Sequence, residues 1–274
     1  MLGLQTENLT LGYGEHTIIR DLSFSIPEGE ITVLVGANGS GKSTLLRSLA
    51  RLLKPHSGQI VLDGDHLSHM ATREIAKKLS ILPQGPVAPE GITVHQLIKQ
   101  GRYPHQCWFK QWSKKDEELV ENAIKATQLG EFRDRAVDAL SGGQKQRAWI
   151  AMTLAQETPV ILLDEPTTYL DMAHQVDVLD FLFELNRTQS RTIVMVLHDL
   201  NLACRYADHL VAIRNHTIAA QGAPEDIISE ALVKDVFGME VAISEDPFFG
   251  TPLCIPKGRG RDIRKKSREL ANML

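Results

Sequence analysis

Gly36-Ala37-Asn38-Gly39-Ser40-Gly41-Lys42-Ser43-Thr44 is the stretch from which the fold can be read. It fits the pattern G-x-x-x-x-G-K-[ST] at every fixed position. Such a loop needs glycines so that the backbone can wrap and aim successive N–H groups at phosphate oxygens. In that pattern Lys42 supplies a point charge for the β- and γ-phosphates, and the Ser43 hydroxyl is a ligand for magnesium. Upstream, Ile31-Thr32-Val33-Leu34-Val35 is a short β-rich apolar run; downstream, residues 45–50 continue as a helix. A strand feeding a helix N-terminus is a ready-made phosphate site.

At 274 residues the chain can bury a large core, as one α/β domain with an insertion or as two small domains. A net charge of −4 gives no electrostatic footprint for nucleic acid, so none is expected as a partner. Cys107, Cys204 and Cys254 are odd in number and widely spaced, form no metal pattern, and suit a reducing compartment. No basic-then-apolar leader opens the sequence, and no apolar run approaches the roughly 18 residues that span a bilayer. The expectation is a soluble chain that docks on membrane proteins if it meets a membrane at all. No internal repeat is visible.

Outward from the loop, residues 2–11 alternate apolar and polar, Gly12-Tyr13-Gly14 reads as a turn, and residues 16–26 read as a second strand. A small antiparallel β-layer thus precedes the main sheet. Tyr13 reads either as a base-stacking aromatic or as a half-buried turn residue. Residues 59–64 read as a strand into a turn, 71–78 as a helix, and 79–82 as a strand ending at Pro83-Gln84. Gln84 sits just past a strand end, where ligands gather in open α/β sheets. Its amide suits a metal or water, though an ordinary loop role is simpler in isolation.

From about 85 to 156 the strand-like runs vanish. Residues 93–101 and 113–129 read as helices, the second with Ser113 as N-cap and acids in its first turn. Between them, Tyr103, Trp108, Phe109 and Trp112 form either a docking surface or packing beneath the helices. Leu140-Ser141-Gly142-Gly143-Gln144 precedes a helical run over 145–156. It reads as a second anion site or as a plain helix cap. Val160-Ile161-Leu162-Leu163 reads as a strand buried on both faces. Asp164 at its end is placed to hold magnesium, and Glu165 to polarise an attacking water. Residues 167–170 read as a turn, 171–187 as a helix, and 192–197 as another buried strand. That strand ends at His198, which reads as a γ-phosphate contact or a cap. Residues 209–214 and 217–221 read as a closing hairpin, and 224–237 as helical.

In this order and spacing, residues 36–44, Gln84, residues 140–144, residues 160–165, Leu170-Asp171 and His198 resemble the ATP-binding subunit of an ABC transporter. The resemblance covers about residues 2–240, and Leu-Ser-Gly-Gly-Gln is its most specific mark. It implies an α/β fold: a P-loop NTPase core with a mostly parallel sheet and flanking helices, an antiparallel β subdomain, and an inserted α-helical subdomain over about 85–156. The ATPase domain would span 1–256. It implies ATP and Mg2+ as cofactors. By matching positions, Tyr13 stacks on adenine. Gly36, Asn38, Gly39, Ser40, Gly41, Lys42, Ser43 and Thr44 bind the nucleotide's phosphates. Ser43, Gln84 and Asp164 serve the metal, Glu165 is the catalytic base, and His198 and Lys42 act at the γ-phosphate. The resemblance also accounts for the second anion site. Two subunits pair head to tail, so that Ser141, Gly143 and Gln144 of one close over ATP held by the other. Asp171 lies at that interface, and Gln84 is the hinge towards the membrane subunits.

Residues 165–171 followed by Ala173-His174-Gln175, together with Gly101-Arg102-Tyr103-Pro104-His105 and residues 146–151, are similar to the ferric-siderophore and ferric-citrate import ATPases. Cobalamin, haem and zinc or manganese importers are near relatives of that group. This similarity implies two membrane-spanning permease subunits, an extracytoplasmic substrate-binding protein, and a peripheral position on the cytoplasmic face of the inner membrane. ABC ATPases of DNA repair or translation usually carry long coiled-coil insertions or two cassettes in one chain, and neither is present here. Residues 257–274 carry seven Lys or Arg against two acids. That basic tail is expected to be a solvated terminus, with contact to anionic lipid as the alternative.

Overall fold

The computed structural model describes residues 3–106, 112–168 and 170–259. Leu4–Tyr13 (β1) and His16–Ile26 (β2) form a hairpin in which Leu4, Leu9 and Leu11 face inward. Ile31–Val35 (β3) runs into the glycine loop and Lys42–Leu49 (α1). Ser57–Leu62 (β4) and Asp65–His66 (β5) complete an antiparallel sheet of order β2-β1-β4-β5. Thr72–Lys78 (α2) leads to Leu79–Leu82 (β6).

The chain then enters a helical insertion: Val94–Gln100 (α3), Lys114–Ala126 (α4) and Gly142–Ala155 (α5). Each of the three begins with a capping box, Thr93 with Gln96, Ser113 with Asp116 and Ser141 with Gln144. Two orphan N–H groups are satisfied reciprocally at each start. Arg102 ties the insertion together. Its guanidinium is buried, 2.9 Å from Asp116 and 2.7 Å from the Ala155 carbonyl oxygen.

Val160–Asp164 (β7) returns to the core. Met172–Gln189 (α6), Thr192–Val196 (β8), Leu200–Tyr206 (α7), His209–Arg214 (β9) and Thr217–Gly222 (β10) follow. The main sheet has the order β10-β9-β3-β8-β7-β6, parallel throughout except for the β10 edge. Strands β3, β7 and β8 are buried at every residue. That is why they read as near-continuous apolar runs. Their side chains alternate between two cores. Ile31, Val33, Ile161, Leu163, Ile193 and Met195 face the helical side. Leu34, Val160, Leu162, Val194 and Val196 face α1 and the antiparallel sheet. Each such side chain contributes about 1.5–3 kcal/mol of burial. The parallel strands bring Gly36, His198, Glu165 and Gln84 to the carboxyl ends of β3, β8, β7 and β6, which are neighbours in the sheet.

Several expectations are corrected. The first turn is Gly14-Glu15, because Gly12 and Tyr13 pair with Thr17 and His16 and extend the strand. Helix α5 starts at Gly142, not at 145, because Ser141 is its cap. Residues 224–237 are two helices, Pro224–Ile227 (α8) and Glu230–Phe237 (α9), separated where Ser229 caps the second. Helix α7 and the terminal hairpin of Val241–Glu245 (β11) and Pro252–Pro256 (β12) were not read from the sequence. The aromatic segment divides. Tyr103 is exposed, whereas Trp112 packs against the core with its Nε1 2.6 Å from Glu117. Trp108 and Phe109, and the tail beyond 259, lie outside the described residues. Among the described residues no helix is long and apolar enough to cross a membrane.

Candidate functional site

The glycine loop is shaped by two backbone demands. Gly36 has φ +151°, and a Cβ there would stand 2.3 Å from the Ile213 carbonyl oxygen. Gly41 has φ +102° and is the N-cap of α1; a Cβ there would press on Ile18 and Ile19 of β2. Lys42 is 5% exposed, and its Nζ donates to the Gly36 and Ala37 carbonyls at 2.9 Å each. Burial lowers its pKa, against the pull of Glu165 and Asp164. Ser40 and Thr44 are buried, while Asn38 and Gly39 are exposed.

Ser43 Oγ donates to Asp164 Oδ1 at 2.7 Å, joining α1 to the end of β7. Asp164 is 1% exposed. Burial pushes its carboxyl up, opposed by the Ser43 hydroxyl and by Arg47. Asp164 Oδ2 and Ser40 Oγ are both buried without a hydrogen-bond partner. Buried polar atoms are nearly always partnered. An orphan carboxylate oxygen beside a serine hydroxyl is a donor set of the hard, oxygen-only kind that suits magnesium. The orphan Ser40 hydroxyl lies in the loop where phosphate oxygens would sit. The residues present therefore fit both groups.

Glu165 follows at φ +56°, an unusual backbone state for a side chain with a Cβ. Its carboxylate is held from three sides. Oε1 lies 2.7 Å from His198 Nε2. Oε2 accepts from Gln84 Nε2 at 2.6 Å and from Thr168 Oγ1 at 2.9 Å. Gln84 thus meets Glu165 rather than the Ser43–Asp164 pair. Thr168 was not singled out in the sequence, since a threonine three residues past an acid carries no distinctive signal. Tyr13 stands 47% exposed at the end of β1, on the hairpin whose second strand backs the loop.

The remaining predicted residues form a second cluster. Ser141 Oγ accepts from Gln144 N at 3.3 Å, and Gln144 Oε1 accepts from Ser141 N at 3.0 Å. The Gln144 side chain is therefore turned back on its own helix start. Asp171 caps α6, its Oδ1 accepting from His174 N at 2.9 Å and lying 2.6 Å from His174 Nδ1. These bonds hold the Asp171 carboxyl below its ordinary range. Among the described residues, no side-chain hydrogen bond joins this cluster to the first. A third group, His95 with Glu117 and Glu121, has metal-ligand types within reach of one another. Arg133 already sits 2.7 Å from Glu121, and Trp112 occupies Glu117, so it is a satisfied surface network.

Residues 19–168 match a family model described as ABC transporter. The chain is 66% identical over 263 residues, 96% of each chain, to the petrobactin import ATP-binding protein FpuD of Bacillus anthracis. It is 52% identical over 256 residues to the ferric enterobactin transport ATP-binding protein FepC of Escherichia coli (strain K12), covering 93% of this chain and 94% of that one. Its fold is similar to a dimeric structure of MJ0796, a bacterial ABC transporter cassette. The TM-score is 0.72 at 26% identity, covering 80% of this chain and 98% of that one.

Proposed function

The chain belongs to the ABC transporter family, and from that premise we propose that it is the ATP-hydrolysing subunit of an importer for a ferric siderophore. The observation that carries the catalytic part is the Ser43–Asp164 pair with its spare buried oxygen, one residue from a carboxylate anchored by His198, Gln84 and Thr168. Relatives named for petrobactin import and ferric enterobactin transport support the cargo class.

The loop N–H groups and Lys42 bind the phosphates, with Lys42 exchanging its carbonyl partners for phosphate oxygens. Ser43 and Asp164 would hold magnesium, which would supply positive charge to offset what develops on the phosphate oxygens during transfer. Glu165 takes the proton of the attacking water, a contribution of about 10²–10⁴-fold. His198 and Gln84 fix the direction of its carboxylate, and His198 reaches the γ-phosphate. Tyr13 stacks on the adenine. Residues 1–256 act as one domain with a helical subdomain over 85–156, followed by a basic tail. Two copies pair head to tail, a reading supported by the dimeric cassette of similar fold. Ser141, Gly143, Gln144 and Asp171 then complete the partner copy's site. Two permease subunits and an extracytoplasmic binding protein make up the rest of the importer, with this chain on the cytoplasmic face of the membrane.

The test is uptake of labelled ferric siderophore by cells lacking this gene, complemented with wild type or Glu165→Gln. Only wild type is expected to restore uptake. Uptake that never depended on the gene, with no paralogue covering for it, overturns the cargo and leaves the ATPase; cobalamin and haem are then the next cargoes to assay.

A further inference from the structure

Two helix N-termini meet at Gly143. Ser141 caps α5, Asp171 caps α6, and the imidazole of His174 lies between them. A Cβ at Gly143 would stand 2.8 Å from His174 Cδ2 and 3.2 Å from Cγ, so the ring fills the space a side chain would take. The ring is also fixed in direction. Asp171 Oδ1 lies 2.6 Å from Nδ1 while accepting from the His174 backbone N–H, which places a hydrogen on Nδ1. The glycine at 143 thus serves a contact inside its own chain as well as any ligand outside it.

We infer that His174 is a positioning residue for ATP turnover: locked to Asp171, its ring braces Gly143 and sets where the Ser141–Gly143 end of α5 stands. This rests on the proposed function, in which that end completes the nucleotide site of a second copy. Donors that stabilise transferring charge must stand about 2.7–3.1 Å from the oxygen that carries it, a window only a few tenths of an ångström wide. A shift of about 1 Å costs on the order of 10²-fold in rate. His174 does not touch nucleotide in this scheme; it acts through Gly143.

The experiment measures steady-state ATPase of the transporter reconstituted from the full chain and its permease, together with ATP binding by the full chain alone. His174→Leu fills the space without the Nδ1 donor, and His174→Asn restores a donor near that place. The expected result is a kcat about tenfold lower for His174→Leu, with KM and ATP binding unchanged, and recovery of most of the loss in His174→Asn. A double-mutant cycle tests the contact directly. Gly143→Ala should cost markedly more in the wild-type background than in His174→Ala. A Gly143→Ala cost equal in the two backgrounds overturns the inference. So does a His174→Leu rate within twofold of wild type while Ser141→Ala is impaired. If Ser141→Ala and Gly143→Ala are also neutral, the reading of the second cluster itself falls.

Discussion

The cluster around Asp164 and the cluster around Ser141 both stand at helix N-termini, but they are assembled on different length scales. The first is closed mainly by bonds between residues far apart in the chain, Thr168 to Glu165 being a short one. Ser43 and Asp164 are 121 positions apart, and Gln84 and Glu165 are 81. It exists only once the sheet has aligned its strands, and it holds charge in a buried place. The second is closed by bonds over three residues, Ser141 with Gln144 and Asp171 with His174. Its parts are caps that any short helix can make, presented on an exposed rim, with His174 packed on Gly143 between the two helix starts. One cluster is bound together across the sheet; the other is made of local caps on an exposed rim, which the proposed function turns towards a second copy.

The most drastic way to break this contrast is Glu165→Gln. Turnover should fall by about 10²–10⁴-fold with ATP binding retained, as read by single-turnover hydrolysis against equilibrium binding. Near-normal turnover would remove the first cluster's claim to the chemistry. Next in size is Arg102→Leu, which removes the cation that steadies the insertion carrying the second cluster. Leaving Asp116 buried without its partner should cost about 3–5 kcal/mol, read as a lower melting temperature. Burial pushes the Asp116 carboxyl up, but the Ser113 hydroxyl and N–H and the Arg102 guanidinium outweigh it and hold it below its ordinary value. A depressed carboxyl stabilises the fold above its unfolded pKa of about 3.9 and loses that contribution as pH falls through the folded value. The Arg102→Leu deficit should therefore narrow in acid; a deficit that does not change with pH would refute the pairing.

Asp164→Asn sharpens the contrast from the opposite side. The Asp164 carboxyl is raised by burial, so its ionised form weakens the fold as pH rises from the unfolded value towards the folded one. At pH 7 the asparagine variant without nucleotide should melt higher, by about 2–4 °C per kcal/mol regained, while losing magnesium-dependent ATP binding. A lower melting point would show that the first cluster is not strained by its own charge. The smallest effect is expected for Gln144→Ala. It removes one half of a capping box and should cost about 0.5–1 kcal/mol in denaturant unfolding without altering ATP binding by the isolated chain. An ATP-binding defect there would contradict the separation of the two clusters.

Most of this architecture was legible because its strongest signals are local. The glycine loop, the four aliphatic residues before Asp164 and the serine caps at 113 and 141 each announce themselves within nine residues or fewer. What was not legible is long-range or short of period. Helix α7 has seven residues, too few for a periodic face, and follows His198 with only its cap, Asp199, between. The β11–β12 hairpin buries little beyond Val241 and Cys254, so no alternation marks it. Gln84 could be placed at a strand end, but that its amide grips Glu165 depends on β6 lying beside β7. His174 was legible only as part of a family resemblance, since the brace against Gly143 joins two helices separated in sequence.

The order β3-β8-β7-β6 has one more consequence. Gly36, His198, Glu165 and Gln84 occupy the tips of four adjacent strands, and neighbouring strands lie about 4.8 Å apart whatever side chains they carry. The site is therefore graduated by the backbone ladder, across three intervals of roughly 14 Å in all. Core residues between those tips can be exchanged for others of similar volume and the graduation stays the same. A caliper of this kind keeps its setting through sequence drift that would derange a pocket lined by side chains alone.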